Sequence, residues 1–301
     1  MSRILKKIKE SIRRYTYLIS IKKYPVKVLS LEDTVSRIID EKLSVSRIGD
    51  GEFRWMMMDD PGDTFEKNSK SLSENLIDVV KSRDNKLLVC LPDVYDGLDK
   101  YKPEVKVFWN REISKELKKY YHYLDRNYDY GNSFFSRPYI SYKNQDSSNI
   151  FRLIKNIWNE RDILIVEGSK TRFGIGNDLL SSANNINRIL VPAVNAYSEL
   201  ESIYEAIEEY VKEKEDSKEL LVLLAIGPTA TILAKRITEL NNIQAIDIGH
   251  LDIEYEWFLR GALDKELIPG KYVNESKSSK FVDLEIKDET YINQIWKDIS
   301  K

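Results

Sequence analysis

At 301 residues, with 42% apolar and 32% charged side chains, the chain can bury a large core and is too rich in aromatics (18 Tyr, 9 Phe, 5 Trp) to remain disordered. A formal net charge of -2 provides no general attraction to nucleic acid, which is therefore not expected as a partner. The single cysteine, Cys90, excludes an intramolecular disulfide and a multi-cysteine zinc site and suits a reducing cytoplasm.

Residues 1–28 hold nine basic side chains (Arg3, Lys6, Lys7, Lys9, Arg13, Arg14, Lys22, Lys23, Lys27) against one acid, Glu10. Ile4, Leu5, Ile8, Ile12 and Tyr15 recur at helical spacing, so residues 1–29 are read as a basic amphipathic helix or arm. Its stripe has two uses: docking on the protein's own body or a neighbouring subunit of a homo-oligomer, or lying on an anionic membrane through residues 1–24. The stripe is narrow and lacks Trp and Phe, which favours docking. No run approaches the roughly 18 apolar residues of a membrane span, and no apolar signal-peptide core is present. A cytoplasmic protein is expected, with peripheral attachment at the inner face of the membrane as the variant.

From Ser30, which with Asp33 forms a capping signal for a helix through Ile39, helices alternate with short apolar strands. The strands are expected at residues 43–48, 86–91, 162–166, 188–191, 220–226 and 244–248, near-continuous Val, Ile and Leu runs of the kind buried on both faces of a parallel sheet. Helices over 198–212 and 229–240 precede the last two, which is βαβ alternation. The fold class is therefore α/β, a Rossmann-like, doubly wound, mainly parallel sheet over residues 30–265. Residues 103–146 read as an inserted lid or acceptor-side segment. Residues 266–301 read as a polar C-terminal extension ending in a short helix, and the charged run 208–218 as a solvated helix end.

Ligands of such sheets bind beyond the carboxyl ends of the strands, and four strand-end segments carry suitable chemistry. In Arg47-Ile48-Gly49-Asp50-Gly51-Glu52 the glycines allow a sharp turn, and Asp50 and Glu52 can share a hard divalent cation, Mg²⁺ or Mn²⁺, with Arg47 adding a phosphate contact. A turn followed by a helix-starting Glu has the same spelling. Residues 166–178 combine Gly168, Gly174 and Gly176 with Lys170, Thr171, Arg172 and Asn177, a loop suited to phosphate or ribose, or a long connection in which Asn177 or Asp178 caps the next helix. Gly227-Pro228-Thr229-Ala230-Thr231 sets a helix N-terminus at a strand end and lacks the P-loop lysine. After the sixth strand, His250 stands among Asp247, Asp252, Glu254 and Glu256, a ligand, a phosphate contact, a proton carrier or a structural histidine. Phe108, Trp109, Trp158 and Trp257 are read as core or groove wall.

Taken in order, these four segments, with Ser136-Arg137-Pro138-Tyr139-Ile140 and Val191-Pro192-Ala193-Val194-Asn195-Ala196-Tyr197, resemble the recurrent blocks of the GT-D-type glycosyltransferases, bacterial enzymes of adhesin glycosylation and surface-polysaccharide assembly. The likeness runs from about residue 43 to 257. It implies a Rossmann-like domain that binds a nucleoside-diphosphate sugar, commonly UDP-glucose, with a divalent metal on the D-x-E motif, here Asp50 and Glu52. It also implies nucleotide contacts at Gly49, Thr171, Arg172, Gly174, Asn177, Gly227 and Thr229, beside Arg47. The acceptor would be a glycan, glycoprotein or lipid-linked sugar. Glu52, His250 and Asp252 are the candidate catalytic residues, with Asp252 or Glu254 the base if the anomeric carbon is inverted. The competing readings are a non-catalytic nucleotide-binding scaffold and a metal-dependent phosphoester hydrolase.

Overall fold

Six runs of Val, Ile and Leu become the buried strands of one parallel sheet. The computed structural model describes residues 3–59, 65–214, 219–240, 243–273 and 288–301, without the side chains of residues 3, 4, 6 and 7. The end of the charged run, 215–218, and most of the tail expected from 274 to 287 lie outside the described residues. The strands are β1 (Lys27–Val28), β2 (Ser44–Arg47), β3 (Leu87–Leu91), β4 (Asp129–Asn132), β5 (Asp162–Gly168), β6 (Asn185–Val191), β7 (Leu221–Ala225), β8 (Gln244–Asp247) and β9 (Ile295–Asp298). The helices are α1 (Arg3–Lys23), α2 (Leu31–Asp40), α3 (Asp50–Met56), α4 (Lys70–Lys81), α5 (Pro103–Tyr120), α6 (Ser147–Lys155), α7 (Leu200–Glu213), α8 (Pro228–Ile237), α9 (Leu251–Arg260) and α10 (Glu289–Gln294).

The strands form one sheet in the order β1-β4-β3-β2-β8-β7-β5-β6-β9, with every recorded pairing parallel. Winding proceeds outward from β2 through β3 to β4, and separately back from β5 through β7 to β8, so the two directions meet at β2 and β8. In such a sheet the crevice at that meeting point is where ligands sit. Helix starts follow local chemistry: Ser30 accepts from Asp33 N–H at 3.0 Å, and Asp146 from Asn149 N–H at 3.1 Å. Trp158 and Trp257 are fully buried core residues whose indole N–H groups donate to backbone carbonyls of Leu179 and Glu266. Among the described residues no helix is long and apolar enough to cross a membrane.

Three expectations change. The 103–146 segment contains α5 and β4, and β4 pairs with both β3 and β1, so this stretch builds the sheet as well as covering it. The C-terminal region is more than an extension, because β9 pairs with β6 and α10 packs beneath it. That closure depends on a buried ion pair: Arg188 Nη1 lies 2.6 Å from Glu167 Oε1, Arg188 Nε donates to Gln294 at 2.8 Å, and Tyr291 Oη donates to Glu167 at 3.2 Å. Finally, α1 docks on the body, but through Tyr17, Ile21 and Tyr24; its expected apolar stripe faces outward.

Removing one partner of the pair leaves a buried charge without compensation. Arg188→Met should therefore lower the free energy of unfolding in urea by about 3–5 kcal/mol; a loss below about 1 kcal/mol would show that β9 and α10 dock without it.

Candidate active site

The carboxyl ends of seven strands open into one cavity of about 830 Å³. Its wall takes Arg47 and Gly49 after β2, Pro92 after β3, Ser133 and Arg137 after β4, Gly168 and Thr171 after β5, Pro192 and Ala193 after β6, Ala225 to Pro228 after β7, and Gly249 and His250 after β8. The far side is closed by Phe108 and Trp109 of α5 and by residues that follow α9.

Arg47 anchors the centre. Its Nη2 lies 2.8 Å from Asp247 Oδ1, its Nε donates to the Asp247 carbonyl at 3.0 Å, and its Nη1 donates to Ser136 at 2.9 Å. A residue expected to touch phosphate thus has protein acceptors at all three guanidinium nitrogens, and its main task is to hold β2 to β8. Gly249 has a positive φ of 46°, and a Cβ there would lie 2.0 Å from Arg47 Nη2, so the backbone crosses the guanidinium where only glycine fits.

Asp50 and Glu52 line the cavity from the first turn of α3 instead of projecting from the strand end. Side chains two apart on a helix do not face each other, so the two carboxylates reach the cavity separately. Glu52 Oε2 accepts from Gly49 N–H at 2.8 Å, the capping role that the spelling also allowed. Burial pushes Glu52 up to about 7, opposed by that N–H and by Arg47. Burial also raises Asp50, opposed by Arg54 at 3.6 Å. For both carboxyls burial is the larger influence, and the nearby cations Arg54 and Arg47 only partly oppose it. Among the described residues no cluster of three or more His, Cys, Asp or Glu forms a complete metal cage. Each carboxylate could give one oxygen to a small divalent ion that keeps water and takes its remaining ligands from phosphate.

The other expected residues divide. Gly49, Thr171, Gly227, His250 and Asp252 line the cavity; Arg172, Gly174, Asn177 and Thr229 do not. Arg172 Nη1 donates to the Gly270 carbonyl at 2.7 Å. Gly174 packs its backbone on Leu180, Thr229 is fully buried, and Asn177 Nδ2 donates to Asp252 and Glu256 at 2.8 and 2.7 Å. Asp252 has both oxygens engaged, since Lys271 Nζ lies 2.7 Å from the second one. Glu254 accepts the Tyr139 and Ile140 N–H groups at 3.2 and 2.9 Å, which makes it a clamp on the 137–140 turn. Sequence reasoning passed over Asp247 and Lys271 as partners and Arg137 and Lys265 as cations on the wall. Arg137 and Asp247 lay in blocks that could have flagged them; Lys265 and Lys271 did not.

Phe65 also lines the cavity. It is held there by the 195–197 turn: Asn195 N–H donates to the Phe65 carbonyl at 2.8 Å, and Tyr197 N–H to buried Glu66 at 3.2 Å. Burial pushes Glu66 up to about 7.

The family described as the glycosyltransferase GT-D fold matches residues 45–276. The chain belongs to that family. The chain is 35% identical over 273 residues to the probable glycosyl transferase Gly of Streptococcus gordonii, and 32% identical over 272 residues to the glycosyltransferase GlyD of Streptococcus pneumoniae serotype 4. Each match covers 90% of this chain but 38% and 32% of those proteins, so the chain spans about a third of their length. A solved domain of unknown function 1792, described as having a distinct glycosyltransferase fold, superposes with a TM-score of 0.85 at 33% identity, covering 94% of this chain and 99% of that one. A glycosyltransferase of the same domain type from Streptococcus sanguinis gives 0.82 at 34% identity, over 91% and 99%. The family resemblance carried by the four strand-end segments is correct.

Gly249→Ala should displace Arg47 and cost about 1–3 kcal/mol in thermal unfolding, a loss that Arg47→Ala in the same chain should partly mask. Simple additivity of the two changes would dissociate Gly249 from the Arg47 site. Glu66 yields a pH prediction. Its pKa in the folded state, about 7, exceeds the ordinary 4.5, so the folded state binds the extra proton and stability falls as pH rises through that window. Glu66→Gln should be more stable than the parent above pH 7, by on the order of 2 kcal/mol, with the gain shrinking toward pH 4.5. A pH-independent difference in denaturation midpoint would refute this.

Proposed function

We propose that this GT-D domain is the catalytic unit of a metal-dependent glycosyltransferase that moves a sugar, with glucose the first to test, from a uridine diphosphate donor to a glycan on a protein, a surface polysaccharide or a lipid carrier. The observation that carries the reading is one cavity at the carboxyl ends of seven parallel strands, lined by the Asp50 and Glu52 carboxylates, in a chain whose family is one of glycosyltransferases. Its volume is in the range of sites for ligands of this size.

Asp50 and Glu52 would hold Mn²⁺ or Mg²⁺, which supplies Lewis-acid neutralisation of the departing diphosphate. Gly227 and Pro228 bring the start of α8 to the wall, where the helix dipole favours an anion. Gly168 and Thr171 line the neighbouring strand end and are suited to the nucleoside; Arg137 adds cationic charge. Phe108 and Trp109 form the apolar wall against which a sugar ring can rest. With Asp252 bound to Lys271 and Asn177, and Glu254 clamped on backbone, His250 is the ring suited to relay a proton from an acceptor hydroxyl.

Calorimetric titration with UDP and UDP-glucose, with and without Mn²⁺, tests the donor. Asp50→Asn should weaken the Mn²⁺-dependent part at least about tenfold without lowering the melting temperature, because it removes a ligand charge at the cavity wall. Normal affinity in the folded variant would remove Asp50 from the site. Product analysis separates transfer from hydrolysis, since a hydrolase releases free sugar at full rate with no acceptor present.

A further inference from the structure

Leu5, Ile8, Ile12, Tyr15 and Ile19 recur at three- and four-residue spacing along α1, and their exposure runs from 48% at Ile19 to 68% at Tyr15. The helix is held to the body by its other side. Tyr17 is buried and its Oη donates to the Val94 carbonyl at 3.0 Å, Ile21 and Tyr24 pack against the core, and Ser114 donates to the Arg13 carbonyl at 2.9 Å. The contacts that seat the helix thus lie on the side opposite the stripe. A row of large apolar side chains left to water in this way marks an interaction surface.

Its surroundings specify the partner. Lys9, Lys22 and Lys23 are exposed beside the stripe, Arg13 and Arg14 are exposed at the groove toward α5, and Glu10 is the one acid in residues 1–28. An apolar stripe bordered by cations, with a tyrosine among its most exposed members, matches the boundary between lipid headgroups and acyl chains. A second copy of this chain matches less well, because pairing two such faces brings their cationic borders together without acids to offset them. We infer that the outward face of α1 docks on an anionic phospholipid bilayer, its stripe at the acyl boundary and its cations on lipid phosphates.

The placement has a consequence for the cavity. Pro103, Lys106, Val107 and Asn110 of α5 face α1, whereas Glu104, Val105, Phe108 and Trp109 of the same helix line the cavity. A bilayer on α1 then lies two helix layers, about 20 Å, from the cavity wall. The inference stands on α1 alone and is independent of the sugar-transfer reading.

Flotation of the full chain with vesicles of phosphatidylcholine, alone or mixed with phosphatidylglycerol, tests it. The chain should rise with the mixed vesicles, less so in high salt, and not with the neutral ones. The double variant Ile8→Gln, Ile12→Gln keeps helix propensity and touches no core residue, so it should remain folded by circular dichroism while binding falls about tenfold or more. Absence of binding to mixed vesicles, equal binding to both kinds, or an unchanged double variant would each overturn the inference. So would a dimer in sedimentation analysis that the double variant dissolves in the absence of any vesicle binding.

Discussion

Arg47 and Asp247 meet where the two windings of the sheet converge, and the positions of the candidate catalytic groups descend from that meeting. The recorded register between the two central strands is Val45 opposite Ile246; beyond it the carboxyl ends are joined by side chains. The guanidinium spans Asp247 and Ser136, Thr231 Oγ1 lies within 2.9 Å of the Arg47 carbonyl and 3.0 Å of Asp247 Oδ2, and Ser46 Oγ donates to the Thr231 carbonyl at 2.7 Å. A buried carboxylate survives only with such partners. Asp50 follows Arg47 by three residues and His250 follows Asp247 by three, so a shift at this junction moves both walls of the cavity together.

Charge is distributed around the cavity by the same rule. The acids of α9 are neutralised in different ways: Asp252 and Glu256 share Lys271 and Asn177, and Glu254 accepts two backbone N–H groups of the 137–140 turn. These interactions seal one wall and tie the turn after β4 to the helix after β8. Asp50 and Glu52 are treated otherwise: Asp50 shares Arg54 with Glu112, Glu52 accepts the Gly49 N–H, and burial raises the pKa of both carboxyls. A cation bound between them would offset that burial.

The α1–α5 layer gives the molecule a second face. The family match begins at residue 45, beyond α1, yet α1 rests on the helix that supplies the aromatic wall of the cavity. One helix thereby relates the aromatic wall of the cavity to a cationic, apolar surface. Tyr17 is buried on the opposite side of α1 from the exposed Tyr15 and Ile19, and its hydroxyl, donating to the Val94 carbonyl, helps turn the stripe outward.

Much of the architecture was legible in the chain because long apolar strands and capped helices are encoded locally. All six expected strands form, and the likeness of four ordered strand-end blocks matches the family found. Strands β1, β4 and β9 were not legible, since two to four residues with Lys, Asp or Asn carry no apolar run. The roles of individual polar residues were the least legible part. Sequence by itself determined the parallel sheet, its ligand-binding end and the presence of acids, cations and glycines there, because periodicity and turn chemistry are local properties. Only the tertiary structure decided that Arg47 belongs to Asp247, that Asp252 belongs to Lys271, that Asn177 stands behind the wall and that the stripe of α1 faces out. Partners brought together across some 20 to 200 positions of chain are chosen by packing, and no local pattern records that choice.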